Sequence, residues 1–206
     1  MEFGNPSART VLIQPFGEGD PHLPENEYSL LREYAREDFC LAAFRVGDWN
    51  ASLSPWPSPA VFGSEGFAGR AADTLREILA FCAGGDKEYY IGGYSLAGLF
   101  ALWAAYRTGI FRGVAAASPS LWYPGFLDYM ASHELKTRHV YLSLGDREAK
   151  TRHPVLASVG DNIRAAAALL ERQGTDFTLV WNAGNHFREP GRRTARAFAW
   201  LLERKD

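Results

Sequence analysis

The sequence predicts an α/β domain: a mainly parallel sheet of about six strands, flanked by helices on both faces. Three observations carry this. Short apolar runs that read as buried strands alternate along the chain with amphipathic stretches of helical period, the order that joins parallel strands through helical crossovers. One stretch, Glu88 to Phe100, passes from strand through two glycines and a serine directly into an apolar helix. The 206 residues suit one domain with a sizeable core, read as residues 11–206 behind a flexible lead of residues 1–10.

The elements follow in order. Val11 to Pro15 is a short apolar strand, and residues 16–21 are a loop. Tyr28, Leu31 and Tyr34 fall at helical spacing, which predicts a helix over 25–36 after Pro24. Phe39 to Val46 is a second buried strand. Gly47 to Gly66 reads as one long irregular segment rich in aromatic residues and prolines, and loops of that length in small domains tend to carry function. Arg70 to Cys82 is an amphipathic helix with Ala71, Leu75, Ile78, Leu79 and Cys82 on its apolar face, stopped by Gly84-Gly85. Tyr89 to Ile91 form the third strand, and an apolar helix runs from Gly98 to about Tyr106. Gly113 to Ser118 is the fourth strand, ended by Pro119. A short helix is expected over 125–132, and His139 to Leu144 is the fifth strand. Pro154 to Arg172 is a long helix with Gly174 as its stop, Phe177 to Trp181 is the sixth strand, and Pro190 opens a closing helix with Ala195, Phe198 and Leu202 inward. Ligands of such sheets collect at the carboxyl ends of the strands. The loops expected to meet there are 16–20, 47–66, 94–97, 118–123, 145–153 and 183–189.

Composition removes several function classes. A net charge of −2 argues against a nucleic-acid partner or an anionic membrane surface. No apolar run reaches 18 residues, so no spanning helix is expected. Residues 1–10 lack the layout of a signal peptide. Cys40 and Cys82 lie in apolar settings and read as reduced packing residues, which points to the cytoplasm. No metal-ligand spacing, phosphate loop or dinucleotide fingerprint is present, so no metal and no cofactor is expected.

The chemistry gathers around Gly93-Tyr94-Ser95-Leu96-Ala97-Gly98. A serine at the apex of a strand–turn–helix needs small neighbours, here Gly93 and Ala97, and stands where free backbone N–H groups favour negative charge. Leu96 is one expected oxyanion donor. The second comes from the loop after the first strand, at Phe16 or Gly17, because Pro15 has no N–H. A serine hydroxyl becomes a nucleophile only when a base takes its proton, and that base is usually a histidine oriented by a carboxylate. Of the five histidines, His22, His153 and His186 fall at the carboxyl edge, and His186, in the loop after the last strand, is the best placed. The acid is expected from the loop after the fifth strand, as Asp146 or Glu148. The chain order serine, acid, histidine is that of the α/β-hydrolases.

The segments Gly93 to Ala101, Ala117 to Trp122, Leu144 to Glu148 and Gly184 to Phe187 resemble the esterase-D-like branch of the α/β-hydrolases, which includes the siderophore esterases. The resemblance runs over roughly residues 11–203. It implies a minimal α/β-hydrolase fold, Ser95 as nucleophile and His186 as base, and it favours Glu148 over Asp146 as the acid. Two departures stand out: Ala97 replaces the usual last glycine of the elbow, and the chain shows six strands where the parent fold has eight. The expected activity is hydrolysis of a small or aromatic carboxylic ester in a pocket walled by Trp49, Trp56, Phe62, Trp122 and Tyr123. The residues leave open transfer of the acyl group to another acceptor, amide cleavage, a catalytically silent fold that binds a partner, and a homodimer formed through the aromatic loop.

Overall fold

The apolar runs form one seven-stranded sheet in the computed structural model, which describes residues 1–19, 22–61, 63–84 and 86–204. Its strands are β1 (Glu2–Gly4), β2 (Thr10–Gly17), β3 (Phe39–Val46), β6 (Glu88–Tyr94), β7 (Phe111–Ala117), β8 (His139–Gly145) and β9 (Asp176–Asn182). Two-residue strands β4 (Pro57–Ser58) and β5 (Phe67–Ala68) pair separately. The helices are α1 (Leu23–Tyr34), α2 (Trp49–Leu53), α3 (Ala71–Phe81), α4 (Leu96–Arg107), α5 (Phe126–Ser132), α6 (Pro154–Ala157), α7 (Val159–Arg172) and α8 (Pro190–Leu202). None of the described helices is long and apolar enough to cross a membrane.

The spatial order is β1-β3-β2-β6-β7-β8-β9, parallel throughout except for β1. The chain steps outward from β2 to β3, then returns across the sheet to β6. The order therefore reverses between β2 and β6, and a crevice at such a reversal is where open α/β sheets bind ligands. The ladder between β2 and β6 ends at Ile13↔Ile91, while β2 stays paired with β3 as far as Gly17. Pro15, read from sequence as a stop, is carried inside β2, where that strand has a partner on one side only and a missing N–H is tolerated.

The sheet divides the core. Val11, Ile13, Cys40, Ala42, Ile91 and Val114 face α3, α4 and α7 on one side. Leu12, Leu41, Tyr90, Ala115 and Tyr141 face α1 and α8 on the other, the period-two alternation of a covered sheet. Helix α4 is buried from Leu96 to Tyr106, which explains why it is apolar all round. Small residues set the layer spacing: a Cβ on Gly92 would come within 2.6 Å of both Ala115 and Phe198, and one on Gly113 within 2.6 Å of Leu201.

Three sequence expectations are corrected here. Glu2–Gly4, read as part of a flexible lead, pair antiparallel with β3; three residues carry no periodicity, and the strand exists because the β3 edge offers it backbone partners. The segment 47–66 is not irregular throughout, since it holds α2, capped by the Asp48 side chain, and β4. The helix expected over 154–172 is broken at Ser158 into α6 and α7. Cys40 and Cys82 are free and buried, and burial pushes their thiols up to about 11 and about 12.

Glu27 of α1 is 1% exposed and is bound by Gln14 of β2, whose Nε2 donates to it. Burial pushes its carboxyl from an ordinary 4.5 up to about 8, against the hydrogen bonds of Gln14 and Thr194. The folded state thus holds a proton that the unfolded chain has released. Stability from this group is complete below about pH 4.5 and is lost as pH rises towards about 8. Glu27→Gln is accordingly expected to raise Tm more at pH 8 than at pH 5 in thermal unfolding, whereas an equal effect at both pH values would show that Glu27 is charged in the fold.

Candidate active site

At the end of β6 the chain turns through Ser95 with φ 58° and ψ −120°, a region that L side chains occupy at a cost and that functional sites retain. Ser95 is the N-cap of α4 yet makes no capping hydrogen bond with its side chain, so its hydroxyl is not consumed by the helix. Gly93 is what admits Ala97: a Cβ at position 93 would lie 2.6 Å from the Ala97 methyl. The glycine missing at 97 is thus compensated by the one at 93. Leu96 opens α4, so its N–H has no carbonyl partner within the helix.

The Ser95 hydroxyl lies 3.1 Å from His186 Nε2 and 3.2 Å from the hydroxyl of Ser120. His186 Nδ1 lies 2.7 Å from Glu148 Oε2. Of the two acids left open by the residues alone, Glu148 is the one in contact with His186. Asp146 is engaged elsewhere. Its Oδ1 accepts from the Gly184 N–H at 2.7 Å, tying the histidine loop to the end of β8.

Glu148 is buried, its side chain 4% exposed, and its second oxygen is saturated. Oε1 accepts from the Gly145 N–H at 2.6 Å, the Ser118 hydroxyl at 2.8 Å and Arg193 Nη1 at 2.9 Å. Burial opposes its charge, but the hydrogen bond and charge of His186, with the Gly145 and Ser118 donors, outweigh burial and hold the carboxyl below its usual range. Gly145 must be glycine, because a Cβ there would strike the Gly184 carbonyl and lie 2.8 Å from Glu148 Oε1.

Arg193 was not singled out in the sequence. Its guanidinium, 3% exposed, binds Glu148 through Nη1 and the carbonyls of Ala183 (3.3 Å) and Asn185 (3.0 Å) through Nη2. It also donates to the Tyr94 hydroxyl at 3.0 Å, and that hydroxyl donates to the His186 carbonyl at 2.8 Å. One buried side chain therefore grips Glu148 and the backbone that leads into His186. A signal was present: Arg193 lies four and eight residues before Ala197 and Leu201, on the buried stripe of α8. Ser118, with φ 42°, and Ser120 were likewise missed, since lone serines after a strand carry no periodic signal.

A cavity of about 320 Å³ opens beside Ser95 and His186, lined by Trp122, Leu156, Val159 and Phe187 together with Arg147, Lys150, Thr151 and Asn185. This corrects the expected pocket wall. Tyr123 is 2% exposed and packs edge-on against Trp56, which donates its indole N–H to Pro124 O at 3.0 Å and lies against Phe126 and Tyr129; this aromatic cluster sits behind Trp122 and does not line the cavity. Trp49 packs on Gly17 rather than on this cavity. Phe62 lies outside the described residues. Of the other histidines, His139 begins β8 at the far edge and His153 caps α6. Among the described residues no group of three or more histidine, cysteine or acidic side chains is placed to hold a metal.

Removing the Arg193 guanidinium leaves Glu148 with a buried charge that has lost a partner. Arg193→Met is expected to cost about 3 kcal/mol in denaturant unfolding, with Arg193→Lys intermediate. A loss below about 0.5 kcal/mol would show that the pair contributes nothing net.

No family model matches the chain, and no curated protein matches its sequence. Solved structures do. An IroE-like serine hydrolase from Shewanella oneidensis is 17% identical with a TM-score of 0.75, over 97% of this chain and 72% of that one. The siderophore hydrolase EstA from Aspergillus nidulans is 18% identical with a TM-score of 0.66, over 97% and 85%. Est1E from Butyrivibrio proteoclasticus is 14% identical with a TM-score of 0.62, over 97% and 89%. At these identities the likeness is one of architecture, and with the parallel sheet and its flanking helices it establishes that the chain has the α/β-hydrolase fold.

Proposed function

We propose that the chain is a serine hydrolase of the esterase type. The observation that carries the reading is the run of contacts from Ser95 Oγ through His186 to the buried carboxylate of Glu148, at 3.1 and 2.7 Å, on a strained turn that leaves the serine hydroxyl free of capping duty. The names of the structural neighbours, a serine hydrolase and a siderophore hydrolase among them, agree with that chemistry.

In this reading Ser95 Oγ attacks the ester carbonyl carbon while His186 Nε2 takes its proton, and Glu148 holds Nδ1–H and offsets the charge of the imidazolium. The carbonyl oxygen becomes an oxyanion that accepts from Leu96 N–H and from a donor at the end of β2, Phe16 or Gly17. In this reading the two donors flank the crevice that opens where the β2–β6 ladder ends at Ile13↔Ile91. Collapse breaks the C–O bond to the alcohol, which leaves with the proton from His186. Water, deprotonated by the same nitrogen, then cleaves the acyl-enzyme. The Ser120 hydroxyl, 3.2 Å from Ser95, fixes the rotamer of the nucleophile. A cavity of about 320 Å³ with Trp122 and Phe187 on its wall suits a short or aromatic acyl ester rather than a long lipid chain.

Hydrolysis of p-nitrophenyl acetate and butyrate tests this. Ser95→Ala and His186→Ala are each expected to lower kcat by about 10⁴-fold or more, and Glu148→Gln by about 10²–10⁴-fold. Asp146→Asn should cost less than about tenfold, because Asp146 braces a loop and does not touch the imidazole. If Asp146→Asn is the more damaging of the two acid variants, the assignment of the acid is wrong. Full activity in Ser95→Ala would rule out Ser95 as the nucleophile.

A further inference from the structure

The cavity beside Ser95 is unusual in its charge. Arg147 and Lys150, both exposed, line it, and neither pairs with a carboxylate among the described residues. The one acid on its wall, Glu148, has both oxygens engaged, one by His186 and the other by Gly145, Ser118 and Arg193. Two cations therefore face the cavity of a chain whose net charge is −2. They are placed by a rigid turn: Arg147 N–H donates to the Gly184 carbonyl at 3.1 Å, Glu148 N–H to Gly145 and Lys150 N–H to the Arg147 carbonyl at 3.0 Å. One short turn thus sends its acid inward to the histidine and contributes its two cations to the lining of the cavity, together with the polar Thr151 and Asn185 and the apolar Trp122, Leu156 and Val159.

We infer that Arg147 and Lys150 form an anion-recognition subsite, and that the preferred substrate is a small ester carrying a carboxylate on its acyl or its alcohol part. This rests on the hydrolase reading and deepens it. The planar guanidinium pairs with a carboxylate through two N–H groups, while the ammonium supplies a point charge at the rim. A neutral ester fills only the apolar half of the cavity and leaves both cations to water. The charge acts on binding of the whole substrate, not on the reacting carbonyl, so its effect falls on KM more than on kcat.

The test compares matched pairs: 4-acetoxybenzoate against its methyl ester for the alcohol side, and mono-4-nitrophenyl succinate against its methyl ester for the acyl side. The subsite predicts that in at least one pair kcat/KM favours the carboxylate by about tenfold or more, through KM, and that roughly 0.5 M salt shrinks the ratio. In the double variant Arg147→Gln/Lys150→Gln the ratio should fall to about one, and in Arg147→Glu/Lys150→Glu it should invert. Ratios at or below one in both wild-type pairs, with hydrolysis proceeding, would overturn the subsite and leave the hydrolase reading standing. If no ester is cleaved, the hydrolase reading fails, and calorimetry on Ser95→Ala decides the subsite alone. Tighter binding of 4-hydroxybenzoate than of its methyl ester, lost in the double glutamine variant, supports it, and equal or weaker binding overturns it.

Discussion

A buried carboxylate is costly unless donors surround it, and the carboxyl edge of this sheet is arranged to supply Glu148 with them. The donors come from four places: the Gly145 N–H at the end of β8, Ser118 after β7, Arg193 on α8 and His186 in the loop after β9. Each would be an ordinary surface group if its element ended elsewhere. Meeting at one oxygen pair, they lock two strand ends, a loop and a helix into one geometry. Arg193 extends the lock, because the same guanidinium holds the carbonyls of Ala183 and Asn185 and, through Tyr94, that of His186. The imidazole is thus fixed less by its own contacts than by the clamping of the backbone that carries it, which is how a polar network can specify a site.

The second constraint is steric. Ser95 at φ 58° persists because the elements around it leave no room for another path: Gly93 touches Ala97, and a Cβ on Gly98 would sit 3.0 Å from the Gly93 carbonyl. Small residues on β6 and β7 let α4 and α8 settle close against opposite faces, bringing Ser95 at the head of one helix and Arg193 near the head of the other to the same edge of the sheet. Strain at the serine and burial of the arginine are both tolerated because a large apolar core on either face holds these helices down.

Periodicity made most of this readable. The six parallel strands and the long helices carry two- and 3.6-residue patterns, and the elbow carries its glycines, so Ser95, His186 and the pair of candidate acids could be placed by chain order alone. What stayed hidden depends on three-dimensional convergence. The residues by themselves leave Asp146 and Glu148 open, only the resemblance favours Glu148, and which carboxylate reaches the imidazole depends on how one turn is folded. Arg193 sits on the apolar stripe of α8, a departure that a reading for core residues passes over. Of the expected aromatic wall Trp122 lines the cavity, but Trp56 and Tyr123 pack against each other in a cluster of rings, and a tryptophan in a long loop looks the same from sequence whether it packs or lines a cavity. The edge strand β1 has too few residues to show any pattern, and exists only as a consequence of β3.

The central claim is that one hydroxyl, on Ser95, has been made nucleophilic by its surroundings, although the Ser120 hydroxyl lies only 3.2 Å away. The most direct measurement is intact mass followed by peptide mapping of the folded protein after exposure to a fluorophosphonate. The account predicts a single adduct, mapped to Ser95, absent when the protein is unfolded before treatment. An unmodified folded protein, or an adduct on Ser120 with Ser95 untouched, would contradict it.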